Sequence, residues 1–246
     1  MPHRFATLAF CLLIPAATAP AAAAAASAGS TPSLASNTAS PVRSAAATAA
    51  PAPPAAAHAP VVAFLGDSLT AGLGLPADQS FPAQLELRMT AAGTPIRVLN
   101  AGVSGDTSAG GLRRLGWILA QHPDVLVVGL GANDALRAQP LDEIERNLRA
   151  IVTRARAAGA QVVLLGMKIP PNYGPDYAGG FAALYPRIAH DLKVPLVPFL
   201  LEGVGGIAQL NQADGIHPTA EGQQRVAANV LPVLRSVVAG LPKGRG

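Results

Sequence analysis

Five short apolar runs, set between longer amphipathic stretches, limit the folds open to this chain more than any other feature. They are VVAFLG (61–66), IRVLNAG (96–102), DVLVVGLG (124–131), AQVVLLGM (160–167) and VPLVPFL (194–200). Each is rich in β-branched residues and apolar almost without interruption, the pattern of strands covered on both faces. A strand with one wet face would alternate instead. The intervening segments carry helical spacing. After Pro140, a good first-turn residue, Ile144, Leu148, Ile151, Val152 and Ala155 fall on one stripe with Arg and Glu opposite. Gly159 then supplies the left-handed residue on which such a helix stops. A last helix is expected from near Pro218, with Val226, Val230, Val233, Leu234 and Val237 on one face. Pro232 interrupts it, so a kink or an end is expected at Leu231. Leu112, Leu115 and Trp117 are expected on a helix face against the sheet.

Strand–helix alternation with right-handed crossovers gives an α/β fold, a three-layer α/β/α sandwich around a parallel sheet. In such folds the ligand crevice lies outside the carboxyl ends of the strands. The residues that follow each apolar run are therefore where chemistry is sought. No internal repeat is visible.

The first quarter of the chain has a different character. Met-Pro-His-Arg, the apolar run Phe5–Ala17 and the alanine-rich sequence to Ala28 read as a secretory signal peptide, residues 1–28. The run is shorter than the roughly 20 apolar residues that span a bilayer. Residues 29–60 hold Ala, Pro, Ser and Thr with a single charge, Arg43, and cannot bury enough surface to order themselves. They are expected to form a disordered tether before a domain at 61–240 and a flexible tail at 241–246. The one cysteine, Cys11, falls in the signal segment, and Phe10 before it does not suit lipid attachment. The mature chain would then have no thiol and no disulfide, as suits a periplasmic or secreted protein. Beyond residue 60, sixteen basic residues face fourteen acidic ones, and no basic run interleaves with aromatics. A nucleic-acid partner is not expected.

VVAFLGDSLTAG (61–72) runs five apolar residues into Gly-Asp-Ser, which places Ser68 at the tip of the first strand. A serine hydroxyl attacks at neutral pH only if a base takes its proton. Of five histidines, His3 and His58 precede the domain. His122, before Pro123, and His190, in AHDLK, read as solvent-exposed positions. His217 lies in ADGIHPTAEG, three residues after Asp214, where the loop enters the last helix. A carboxylate at that spacing can hold Nδ1–H and leave Nε2 for the serine. Capping of the following helix by Asp214 or His217 explains the spacing equally well. Gly102 offers a backbone N–H, Asn133 a side-chain amide and Ser68 its own N–H to an oxyanion, each donor worth about 3 kcal/mol in a transition state. A turn glycine and an Asx turn account for Gly102 and Asn133 taken singly. Taken together, four strand ends or loops carry nucleophile, donor, donor and base.

Asp67, Asp106 and Asp134 are read as carboxylates that accept loop N–H bonds. Gly129-Leu-Gly131 lacks the third glycine of a dinucleotide fingerprint and follows the third strand, not the first. Gly66-Asp-Ser68-Leu-Thr70 is not a G-x-S-x-G elbow, because Thr70 stands where the final glycine belongs. The dispersed histidines make a transition-metal site unexpected, and no cofactor is called for.

GDSLTAG, NAGVSGDT, GAND and DGIHP resemble blocks I, II, III and V of the GDSL, or SGNH, hydrolase superfamily. MKIPPNYG (167–174), ALYPRIA (183–189) and VPLVPFLLEGV (194–204) are similar to its thioesterase I, arylesterase or lysophospholipase L1 branch. The resemblance implies a five-stranded parallel sheet in the order 2-1-3-4-5. It also implies Ser68 as nucleophile, His217 as base, Asp214 as its orienting carboxylate, and Ser68, Gly102 and Asn133 as the oxyanion hole. Substrates would be small-molecule or lipid esters and thioesters, with transient contact at a membrane surface. The loop IPPNYGPDYAGG (169–180), with Pro171 and Tyr173, is expected to wall an acyl groove and to close over it. The rival readings are a carbohydrate O-acetylesterase of the same superfamily and a non-catalytic cell-surface binding domain. The latter would normally have lost one of the four site residues, and none is lost.

Overall fold

A computed structural model describes residues 59–242. The signal segment, the tether up to residue 58 and residues 243–246 of the tail lie outside the described residues. The strands are β1 (Val61–Gly66), β2 (Arg97–Gly102), β3 (Val125–Gly129), β4 (Gln161–Leu165) and β5 (Leu196–Val197). The helices are α1 (Ser68–Ala71), α2 (Phe81–Ala91), α3 (Ser108–Leu119), α4 (Ala132–Leu136), α5 (Leu141–Ala157), α6 (Pro175–Leu192) and α7 (Ala220–Ala239). All strand pairs are parallel, in the order β2-β1-β3-β4-β5. Helices α3, α5 and α6 pack side by side on one face, and α2 packs with α7 on the other. This is the expected α/β/α sandwich.

Every residue of β1 and β3 is buried, as their unbroken apolarity requires. The edge strand β2 departs from that pattern, with Arg97 and Asn100 exposed, because helices cover it less completely. The fifth run shrinks to two residues. Pro195 and Pro198 bracket Leu196–Val197, and a proline has no N–H to give to a ladder. Around this short ladder Leu164 N–H donates to Pro195 O at 2.9 Å, Gly166 N–H to Val197 O at 2.7 Å and Leu200 N–H to Gly166 O at 2.8 Å.

Two helices run through prolines. Of the kink or end expected at Leu231, the end does not occur: α7 continues past Pro232, and α6 passes Pro186. Both prolines are exposed. The residues whose carbonyls lose a partner, Ala228 and Ala182, are exposed and half-buried, so water can replace the lost bond. On the inward side Val230, Leu234 and Val238 of α7 are buried and hold the helix to the sheet. Trp117 also departs from expectation. It is 60% exposed, whereas Leu115 and Ile118 of the same helix are buried.

Replacing Pro232 by Ala restores a helix hydrogen bond at an exposed site and should stabilise the fold by about 1–3 kcal/mol. Urea unfolding of the variant against the parent checks this; an unchanged or lower midpoint would contradict it.

Candidate active site

Strand β1 delivers the chain directly into α1, whose first residue is Ser68. The Asp67 Oδ1 caps that helix by accepting the Leu69 N–H at 3.0 Å. Helix α1 lies across the strand ends at a distance only glycine allows. A Cβ on Gly66 would sit 1.9 Å from Thr70 Oγ1, and one on Gly102 would sit 2.3 Å from the Ala71 nitrogen. Ser68 is only 9% exposed, and its own N–H has no protein acceptor among the described residues.

The loop between β5 and α7 brings the imidazole to this point. His217 Nε2 lies 2.8 Å from Ser68 Oγ, and His217 Nδ1 lies 2.7 Å from Asp214 Oδ2. Asp214 Oδ1 accepts the N–H groups of Ile216 and His217, each at 3.0 Å. The His217 backbone N–H is the main influence that holds the Asp214 carboxyl down to about 2, followed by the His217 side chain and the Ile216 N–H. An ionised carboxylate only accepts, so Nδ1 is the donor and Nε2 is left to accept the serine proton. Gly215, at φ +74°, allows the turn. The Gln212 side chain ties the loop down by donating to Leu73 O at 2.7 Å and to Pro218 O at 3.0 Å.

Two further loops border Ser68. Asn133, on α4, directs Nδ2 to Asp67 Oδ2 at 3.4 Å, which leaves its second amide proton free of that bond. Burial pushes the Asp67 carboxyl up to about 6, against the opposing pull of the Leu69 N–H and of His217. Gly102 departs from the oxyanion role expected of it. It is the last ladder residue of β2, opposite Gly66, and its N–H donates to Asn100 Oδ1 at 3.0 Å. It does not line the cavity beside Ser68. Gly105, three residues on at φ +78°, does, and its N–H has no protein acceptor among the described residues.

Two residues that sequence reasoning passed over, Arg114 and Gln223, fix these loops together with the expected loop carboxylates Asp106 and Asp134. Arg114 donates to Asp106 Oδ2 (2.7 Å), Ala101 O (2.6 Å) and Gly66 O (2.9 Å), joining the ends of β1 and β2 to the loop that carries Gly105. Buried Asp134 accepts from the Ser108 N–H at 2.8 Å and from Ser108 Oγ at 2.6 Å. Gln223 of α7 is buried, accepts the Phe81 N–H at 2.8 Å and donates to Leu69 O at 3.2 Å. The sequence gives no periodic signal for these links, which join residues up to 154 positions apart.

A cavity of about 470 Å³ opens beside Ser68 and His217. Its walls are mainly apolar, among them Leu73, Leu136, Met167, Ile169, Phe199 and Leu201. Lys168 stands at its rim with Nζ 4.7 Å from the centre of the Phe199 ring. The expected wall residues Pro171 and Tyr173 are not in the lining; Ile169 and Pro170 hold that place. Residues 171–173 form a single helical turn, Tyr173 Oη donates to Leu136 O at 3.2 Å, and α6 already begins at Pro175. The flexible loop of the sequence reading is thus largely helix. Among the described residues no cluster of three or more His, Cys, Asp or Glu is placed to hold a metal, and no helix is long and apolar enough to cross a membrane.

Residues 64–225 match the GDSL-like lipase/acylhydrolase family. The esterase TesA of Pseudomonas aeruginosa is 46% identical over 183 residues, covering 74% of this chain and 91% of that protein. The thioesterase 1/protease 1/lysophospholipase L1 of Escherichia coli K12 is 41% identical over 184 residues, covering 74% and 87%. The arylesterase of Vibrio mimicus is 40% identical over 171 residues, covering 69% and 86%. The crystal structure of TesA superposes with a TM-score of 0.70 over 72% of this chain and 99% of that one, at 46% identity. The chain therefore belongs to the GDSL-like lipase/acylhydrolase family and is a hydrolase of ester bonds.

Proposed function

We propose that the chain is an exported serine esterase that cleaves carboxylic esters and thioesters through a covalent acyl-enzyme. The observation that carries the reading is the unbroken relay from Asp214 Oδ2 through the imidazole of His217 to Ser68 Oγ, with contacts of 2.7 and 2.8 Å. Ser68 Oγ attacks the acyl carbon while His217 Nε2 takes its proton, and Asp214 balances the imidazolium. The carbonyl electrons move onto oxygen, where the N–H groups of Ser68 and Gly105 and the Asn133 amide receive the charge. His217 returns the proton to the departing alcohol or thiol. Water then enters, gives a proton to His217, and releases the acid as Ser68 recovers its hydrogen.

Three features support this reading beyond the relay. Ser68 opens a helix, where N–H groups favour an anion. The cavity beside it is apolar, as an acyl group requires. Asp214, held to about 2, stays ionised well below neutral pH and so keeps the charge that balances an imidazolium. Export rests on the pattern of residues 1–28, a basic start followed by an apolar run and small residues.

A fluorophosphonate probe should label the wild-type chain once, and Ser68→Ala should abolish both label and turnover, lowering kcat by about 10⁴-fold or more at unchanged melting temperature. A labelled Ser68→Ala variant would move the nucleophile elsewhere. The buried Asp67 adds a second prediction. Its folded pKa, about 6, lies above the ordinary 3.8, so the folded state holds its proton more tightly. The resulting cost is absent below about pH 3.8 and complete above about pH 6, where it reaches about 3 kcal/mol. Asp67→Asn keeps an acceptor for Leu69 but turns an amide towards Asn133. The variant should be more stable than wild type at pH 8, less so at pH 4.5, and slower. Urea midpoints at both pH values test the sign, and a larger gain at pH 4.5 would reject it.

A further inference from the structure

The two loops that border the cavity beside Ser68 follow β2 and β3, which lie on opposite sides of β1. No ladder bond joins β2 to β3 directly, and beyond the strand ends side chains link the loops that carry Gly105 and Asn133. One link is internal, the buried grip of Asp134 on Ser108. The other is external. Arg137, at the end of α4, reaches back over both loops. Its Nη1 and Nη2 donate to Gly105 O at 3.3 and 3.2 Å, and Nη1 also donates to Asn133 O at 3.4 Å. Arg137 is exposed and forms no ion pair among the described residues. Its guanidinium spends its donors on two backbone carbonyls.

We propose that Arg137 is a positioning residue that sets the separation and direction of the two oxyanion donors. Gly105 needs such a restraint more than any other residue of the site. At φ +78° it has no side chain to anchor it, and glycine rotates where other residues are confined. Holding its carbonyl restrains the peptide that follows and leaves its own N–H only the φ and ψ of Gly105 to turn about. A guanidinium can bridge two acceptors in one plane; an ammonium of the same charge is a point donor and lacks the fork. Displacement of a reacting group by about 1 Å can cost about 100-fold, so loosening one donor should be visible in turnover. This inference rests on the serine-esterase reading above.

The test is a double-mutant cycle with a short, soluble ester, followed at enzyme concentrations high enough for slow variants. Arg137→Gln and Arg137→Lys should each lower kcat about tenfold while KM stays within about twofold, the pattern of an interaction used in the transition state. The melting temperature should stay within about 2 °C, as for an exposed side chain. In an Asn133→Ala background the further loss from Arg137→Gln should shrink to less than about threefold, because one of the donors it aims is already gone. An Arg137→Gln enzyme with wild-type kcat overturns the proposal. So does full activity in Arg137→Lys, which would assign the effect to charge. An undiminished loss in the Asn133→Ala background, or a melting temperature that falls with kcat, overturns it as well. A wild-type chain that neither hydrolyses esters nor takes the fluorophosphonate label overturns the esterase reading and this one together, whereas an active wild type with an equally active Arg137→Gln overturns this one alone.

Discussion

The close seating of α1 on the carboxyl ends of β1 and β2 is the constraint from which the site follows. With no side chain at Gly66 or Gly102, the helix backbone drops into van der Waals contact with the sheet, and Ser68 arrives at a fixed height above it. Side chains from the rest of the fold then lock that seat. Asn100 Nδ2 donates to Thr70 O at 2.9 Å, Gln223 reaches Leu69 O from α7, and Arg114 holds Gly66 O from α3. Under the proposed mechanism, a hydroxyl placed by this many independent contacts needs little reorganisation before attack.

The electrostatics divide two carboxylates by environment. Asp214 is solvated and accepts two backbone N–H bonds, so it remains charged and can balance an imidazolium. Asp67 is 1% exposed and its carboxyl is raised by the loss of water, yet it caps α1 and steadies Asn133. Stability is given up at Asp67 for order around Ser68, a common feature of sites that need polar groups in dry places.

The fold was legible because its determinants are local. Apolar runs of five or six residues and a helical stripe such as Ile144–Leu148–Ile151–Ala155 declare themselves over short windows. The His217–Asp214 spacing was legible for the same reason. Gly102 and Gly105 show the limit. Gly102 ends the second strand and Gly105 follows it three residues on. Residue 102 is still in the ladder, with its N–H turned to Asn100, whereas residue 105 lies beyond it in the left-handed region. Pro232 does not end α7, because a proline's effect depends on whether the bond it removes faces water, a fact of tertiary packing. Arg114, Gln223 and Arg137 were invisible because each acts on backbone atoms whose position the sequence does not announce.

The walls of the cavity come from many places. Leu73 follows α1, Leu136 ends α4, Met167 and Ile169 follow β4, Phe199 and Leu201 follow β5, and Ile216 sits in the histidine loop. None of these side chains belongs to the relay, and they are spread over α4 and three separate connections. Such a vessel can be re-tailored one panel at a time while the machinery beneath is left alone. In this architecture a shift of preference from one acyl group to another is a matter of upholstery, open to single substitutions that neither the sheet nor the proton path would register.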